Sequence, residues 1–151
     1  MSRNLEMVVN YFLSKQSMTP KKIQKIVYYA YAWCMALLSN MEEGEIFYLF
    51  EEKFEAWVHG PVCPELYQEY KCYGWGDIDV GHQNLDFKFE PDVEDILKQV
   101  WEIYGGYNAN QLETITHQEK PWLEARDGFS PSDICKNQIK EDVIYDYYNS
   151  L

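Results

Sequence analysis

Three histidines and four cysteines hold most of the nucleophilic and metal-binding potential of this chain. Nucleophilic catalysis needs an accessible thiolate polarised by a nearby base, and Cys63 or Cys34 with His117 are the pairs the sequence offers. Cys34 falls in an apolar helical stripe, where a thiol acts as a small hydrophobe. A metal centre would require His59, His82, His117 or the cysteines at 34, 63, 72 and 135 to converge. His59 and Cys63 are four residues apart, but Gly60-Pro61 interrupts the helical geometry that would align them. No CxxC and no HExxH occurs. Gly74-Trp75-Gly76 and Gly105-Gly106 match neither a Walker loop nor GxGxxG, and read as helix stops. The expectation is no catalytic residue, no metal and no cofactor. His59 and His117 each sit beside a helix-starting or helix-ending signal, where an imidazole fixes a corner by bonding the backbone.

The elements that position these residues follow from periodicity. Leu5 to Lys15 is an amphipathic helix. Thr19 caps and Pro20 opens a second, whose stripe of Ile23, Ile26, Val27, Ala30, Trp33, Cys34 and Leu37 is joined by Tyr28, Tyr31 and Met35 on the other side. A helix apolar nearly all round is buried, so this one is expected at the centre. Lys21, Lys22 and Lys25 line its start, either pairing with acidic surface or meeting a partner. Ile46–Phe50 and Phe54–Val58 are β-prone, and Glu51-Glu52-Lys53 between them predicts a hairpin turn. Alternation in the second run places Trp57 and His59 on the face opposite Phe54 and Val58.

The elbow at Glu55–Tyr67 then turns at Gly60-Pro61, and Pro61 or Pro64 opens a helix through Tyr73. Residues 74–91 read as a loop, with an edge strand possible at Leu85, Phe87 and Phe89. Asp92–Tyr104 is a helix, and Asn108 with Gln111 forms a capping box for the next, which runs to about His117. Pro121–Arg126 is one more helical turn, and Ile139, Val143 and Tyr147 mark a last helix. The fold class is therefore mainly α: one compact multi-helix domain over residues 1–151 with a small β-hairpin.

With 25 acidic and 13 basic residues the net charge is −12. Such a surface repels phosphate backbones and steers basic partners inward. No signal-peptide core and no membrane-length apolar run is present, and the cysteines lack disulfide-like spacing; a reduced, cytoplasmic protein is expected. Hydrophobic residues make up 46% of the chain, and thirteen tyrosines and five tryptophans suit both core and interface.

Three segments in order carry a resemblance: Thr19–Trp33, Glu55–Val62 with Pro64, Leu66 and Tyr67, and Thr116–Arg126. Together they resemble the Panacea domain, also described as SocA-like antitoxin-associated or phage-associated GepA-like, from about Leu5 to Tyr148. The resemblance implies an antitoxin that binds a cognate toxin, with no enzymatic activity. A proteolytic adaptor delivering the toxin to a bacterial protease and a phage accessory protein are its variants, and a small Cys/His hydrolase stands outside it. Some members add a DNA-binding domain; 151 residues leave no room for one here, so no nucleic-acid partner is expected. Trp57, His59, Gly60, Pro61, Tyr67, His117, Pro121, Trp122 and Arg126 are the motif and partner-binding candidates, with variable surface at 39–53 and 74–91 as the alternative place of contact.

Overall fold

The computed structural model describes residues 1–81 and 85–151. Its helices are α1 (Arg3–Lys15), α2 (Pro20–Leu38), α3 (Pro64–Tyr70), α4 (Pro91–Tyr104), α5 (Ala109–Thr116), α6 (Lys120–Ala125) and α7 (Glu141–Asn149), and its strands are β1 (Glu55–Trp57) and β2 (Gly60–Val62). A short 3-10 turn, Lys71–Tyr73, follows α3. This is the mainly α architecture with a small hairpin that the sequence predicts.

Local chemistry accounts for the helix starts. The Thr19 hydroxyl accepts from the Lys22 amide ahead of Pro20, and Asn108 and Gln111 form the reciprocal capping box of α5. Helix α2 lies at the centre, with α1, α4, α5, α7 and the hairpin packed around it. Tyr28, Tyr29 and Tyr31, Phe12, Phe50 and Phe54 are among the largest side chains fully withdrawn from water. Each such burial is worth roughly 1.5–3 kcal/mol.

Buried tyrosine hydroxyls seek partners, and one carboxylate serves two of them, while among the described residues the Tyr31 hydroxyl is buried without one. Glu119 accepts from Tyr29 at 2.9 Å and from Tyr148 at 2.8 Å, and Tyr28 and Tyr148 share a hydroxyl–hydroxyl bond of 3.3 Å. Tyr104 stacks on Tyr29 at 3.9 Å and accepts from the Trp33 indole. The network joins α2, α4 and α7 to the start of α6. Burial raises the pKa of every phenol in it and also raises that of Glu119, despite the two tyrosine bonds that favour its charged form.

The hairpin differs from the one expected. Ile46–Phe50 is not a strand; Leu49 and Phe50 pack into the core from an irregular segment, and a bridge between Asn40 and Glu45 closes the loop before it. An apolar run of five residues suits a buried coil as well as a strand. The strand partner of β1 is β2, in register Glu55↔Val62, Ala56↔Pro61 and Trp57↔Gly60, so the turn is Val58-His59 and Gly60-Pro61 lies within a strand. Gly60 makes this possible with φ +107°, open to glycine and strained for other residues. Pro61 is tolerated because Ala56 opposite it turns both backbone groups away, its carbonyl accepting from Arg126 and its amide donating to Asn137, so no ladder bond calls on the missing amide. Helix α3 opens at Pro64 rather than Pro61.

Leu85, Phe87 and Phe89 form no strand either. Phe87 and Phe89 meet the Tyr11 ring edge-on at 5.3 and 6.1 Å, and Asn10 donates to the Asp86 carbonyl. Residues 82–84 of the expected 74–91 loop, His82 included, lie outside the described residues.

Glu119→Ala leaves two buried phenols without their acceptor. It is expected to cost about 2–4 kcal/mol in urea unfolding, with Glu119→Gln retaining most of that stability through its carbonyl oxygen. Equal losses for the two variants would remove Glu119 from this role.

Candidate functional site

The elbow is held from behind by two side chains of α2. Lys25 is buried, only 1% exposed, and its ammonium donates to the Pro61 carbonyl at 3.0 Å. Its stem fills the space that a side chain at Gly60 would take: a Cβ there would lie 2.6 Å from Lys25 Cε and 3.0 Å from Thr116 Oγ1. Burial lowers the Lys25 pKa to about 7, with Lys21 adding to the effect and Glu113 opposing it. One turn's neighbour, Gln24, clasps Cys63 through both groups of its amide, donating to the carbonyl at 3.0 Å and accepting from the amide N–H at 2.9 Å.

The histidines are corner residues of two kinds. His59, exposed at the hairpin turn, pairs through Nδ1 with Glu113 at 2.7 Å, and Glu113 also binds Lys21 at 2.9 Å. Partial burial would raise the Glu113 carboxyl, but Lys21 and His59 outweigh it and hold it below its usual value. The His117 ring stacks on Trp122 at 4.0 Å, and its Nε2 is buried without a protein partner. Burial pushes the His117 pKa down, so the imidazole is neutral at neutral pH.

In front, the aromatic candidates meet. Trp57 meets Tyr67 edge-on at 5.0 Å, its indole donates to Glu55, and its carbonyl accepts from the Trp122 indole at 2.8 Å. Pro121 is buried beside Trp122 at the start of α6. Arg126 is 4% exposed and donates to three backbone carbonyls, those of Ala56, Ser130 and Asp133. It therefore straps the loop that follows α6 to the hairpin. That loop returns Ile134, Cys135 and Lys136 beside Trp57 and Tyr67, and an open groove of about 380 Å³ lies between them.

Thus the structure brings Trp57, His59, Gly60, Pro61, Tyr67, His117, Pro121, Trp122 and Arg126 around one hairpin. Among the described residues no Cys–His hydrogen bond joins them. Burial pushes Cys34 and Cys63 up to about 12, so both are neutral thiols, and Cys63 Sγ faces Glu65 at 3.6 Å. Among the described residues no group of three or more His, Cys, Asp or Glu side chains is placed to hold a metal ion.

Sequence reasoning left Lys25 on the surface with Lys21 and Lys22, whereas it is an interior residue. Lys21 pairs with Glu113, and Lys22 donates to the last-turn carbonyl of α4 at Gly105. The sequence carries a signal for Lys25: it shares a face with Tyr28, Tyr29 and Ala32 in a helix apolar on most sides. For Gln24, Glu113 and Ile134 no sequence pattern points to the hairpin.

Residues 23–123, about two thirds of the chain, match the family described as Antitoxin SocA-like, Panacea domain. The chain belongs to this family. Membership ties it to toxin–antitoxin systems in general. No curated protein and no solved structure matches the chain. The matched span takes in every candidate residue except Arg126, and it excludes α1, α7 and the loop carrying Ile134.

Because the folded Lys25 pKa is below its ordinary 10.5, the unfolded chain binds more protons between the two values. The Lys25 contribution to stability therefore rises with pH across that window and is flat below about 7. Unfolding free energies of the native protein minus those of Lys25→Met should climb between pH 7 and 9, by up to about 1.4 kcal/mol per pH unit; a flat difference would place the ammonium in water. Gly60→Ala strains the backbone and displaces the Lys25 stem. Thermal and urea unfolding should show a loss of at least about 2 kcal/mol.

Proposed function

We propose that this protein is an antitoxin that neutralises a cognate toxin by binding it directly. The family match over residues 23–123 is the observation that carries the reading. Its support comes from how the candidate residues are used. The histidines, Lys25 and Arg126 are committed to bonds and stacking that shape the hairpin, and burial holds the Cys63 thiol protonated. What faces outward at the same place is an aromatic and aliphatic groove, a surface suited to protein contact rather than to bond-making. The net charge of −12 favours a basic protein partner and disfavours nucleic acid. We further propose a cytoplasmic location, which the free cysteines support; among the described residues no helix is long and apolar enough to cross a membrane.

Co-expression with the product of a neighbouring toxin gene provides the test. The toxin alone should arrest growth, this protein should restore it, and the two should co-purify as a stable complex. Persistent toxicity in the presence of the folded protein counts against the antitoxin reading. Rescue accompanied by a shortened toxin half-life, with no stable complex, would assign the protein to proteolytic delivery instead.

A further inference from the structure

We propose that the groove between Trp57, Tyr67 and Ile134 is the docking site for the partner protein, and that it receives a large apolar side chain flanked by basic residues. The inference rests on the antitoxin reading for the identity of the partner, but the groove itself stands on geometry.

Two of its apolar walls are well exposed, with half-buried Trp57 and buried Val62 behind them. Ile134 is 80% exposed and Tyr67 39%, and Trp57 and Val62 complete the lining. The Trp75 side chain is more exposed still, but it stands alone on its loop, and single exposed apolar residues are ordinary on protein surfaces. Here three large apolar side chains adjoin one concavity, and covering them would remove apolar area from water at about 25 cal/mol per Å².

The walls are also fixed in advance. The Trp57 indole is oriented by its bond to Glu55 and its contact with Tyr67. The Ile134 loop is strapped to the hairpin by the guanidinium of Arg126, and the Asn137 side chain ties its far end to the Ala125 carbonyl. A preformed pocket spends little of its binding energy on ordering, as interface hot spots require.

Charge selects the occupant. A second concavity, about 680 Å³, is lined by Glu51, Glu52, Glu55 and Glu65 and reaches Pro64 at the start of α3. Glu52 is taken by Ser2, and the lysine of this concavity, Lys53, is engaged by Glu141 and the Tyr48 ring. Among the described residues Glu51, Glu55 and Glu65 have no lysine or arginine partner, and Glu55 accepts from the Trp57 indole of the groove. The apolar groove itself carries Lys136, which lies over the Trp57 ring at 5.6 Å, and His59, which is paired with Glu113. A basic segment anchored by an apolar residue meets complementary charge, whereas a second copy of this chain brings a net charge of −12 against −12.

A random 12-residue peptide library, selected on the native protein and counter-selected on Ile134→Asp, tests the groove without any toxin. Ile134 is exposed in a loop, so this variant should keep the native circular dichroism and melting temperature. Enriched peptides should combine a bulky apolar residue with Lys or Arg and bind Ile134→Asp at least about tenfold more weakly. Glu65→Lys should weaken the same peptides by several-fold and flatten the salt dependence of their binding. No enrichment, enrichment of acidic peptides, equal binding by Ile134→Asp, or self-association of the native protein through this face would each overturn the proposal.

Co-expression separates the two readings. If the native protein neutralises its toxin and Ile134→Asp does so equally well, the antitoxin reading stands and the groove is not the toxin site. If no neighbouring gene product is neutralised while the peptide selection succeeds, the groove stands and the antitoxin reading falls.

Discussion

Helix α2 has to be covered on nearly every side, and the rest of the molecule is arranged to do so. Thirteen of its nineteen residues are buried, among them polar Gln24 and charged Lys25. Apolar burial alone could be met by many packings. The polar groups of α2 cannot: the phenols of Tyr28 and Tyr29 require the Glu119 and Tyr148 groups, Lys25 requires a carbonyl, and Gln24 requires a backbone amide and carbonyl together. A misplaced α7 or hairpin would leave these groups unpaired in a dry interior, at about 1–3 kcal/mol each. Specificity of the fold thus rests on the polar side chains of its most buried helix.

The residues that make the family recognisable are used mostly inward. Gly60 gives way to Lys25, Pro61 offers its carbonyl, Trp122 and His117 stack, and Arg126 is spent on three carbonyls. Trp57 and Tyr67, like His59, combine a structural bond or ring contact with exposure to solvent. Their groove is closed on its far side by a segment outside the family match. One wall belongs to the common scaffold and the other to this chain's own C-terminal region, so a shared framework can carry a partner-specific rim.

Helices with a long apolar period or a strong cap were legible in the sequence. For α2, Thr19-Pro20 and the all-round stripe predicted start, length and central position, and for α5 the Asn108–Gln111 box predicted the start. The hairpin is half legible: the pattern predicts an extended Phe54–Val58, of which Glu55–Trp57 forms the strand, but it offers Ile46–Phe50 upstream as the partner, because local pattern carries no information about which strand will pair. Gly60-Pro61 was taken for the turn itself, since the dipeptide favours bends and only the pairing shows that it continues a strand. The candidate site was legible as residue types through the family resemblance. Its supports were not, since Lys25 is buried only because Gly60 leaves room for it, a contact between residues 35 positions apart in the chain.

The two strands are short, yet both flanks of the hairpin are sealed. On the β1 flank, the Ala56 amide donates to Asn137, its carbonyl accepts from Arg126, and the Phe54 carbonyl accepts from the Ile139 amide. On the β2 flank, Pro61 has no amide to offer and its carbonyl is taken by Lys25, while Gln24 satisfies both backbone groups of Cys63. A partner therefore finds no free main-chain ladder to extend. Recognition by strand addition, which reads backbone and is tolerant of sequence, is closed to this hairpin, and so is the edge-to-edge aggregation that open strands invite. Whatever binds at the elbow must read its side chains.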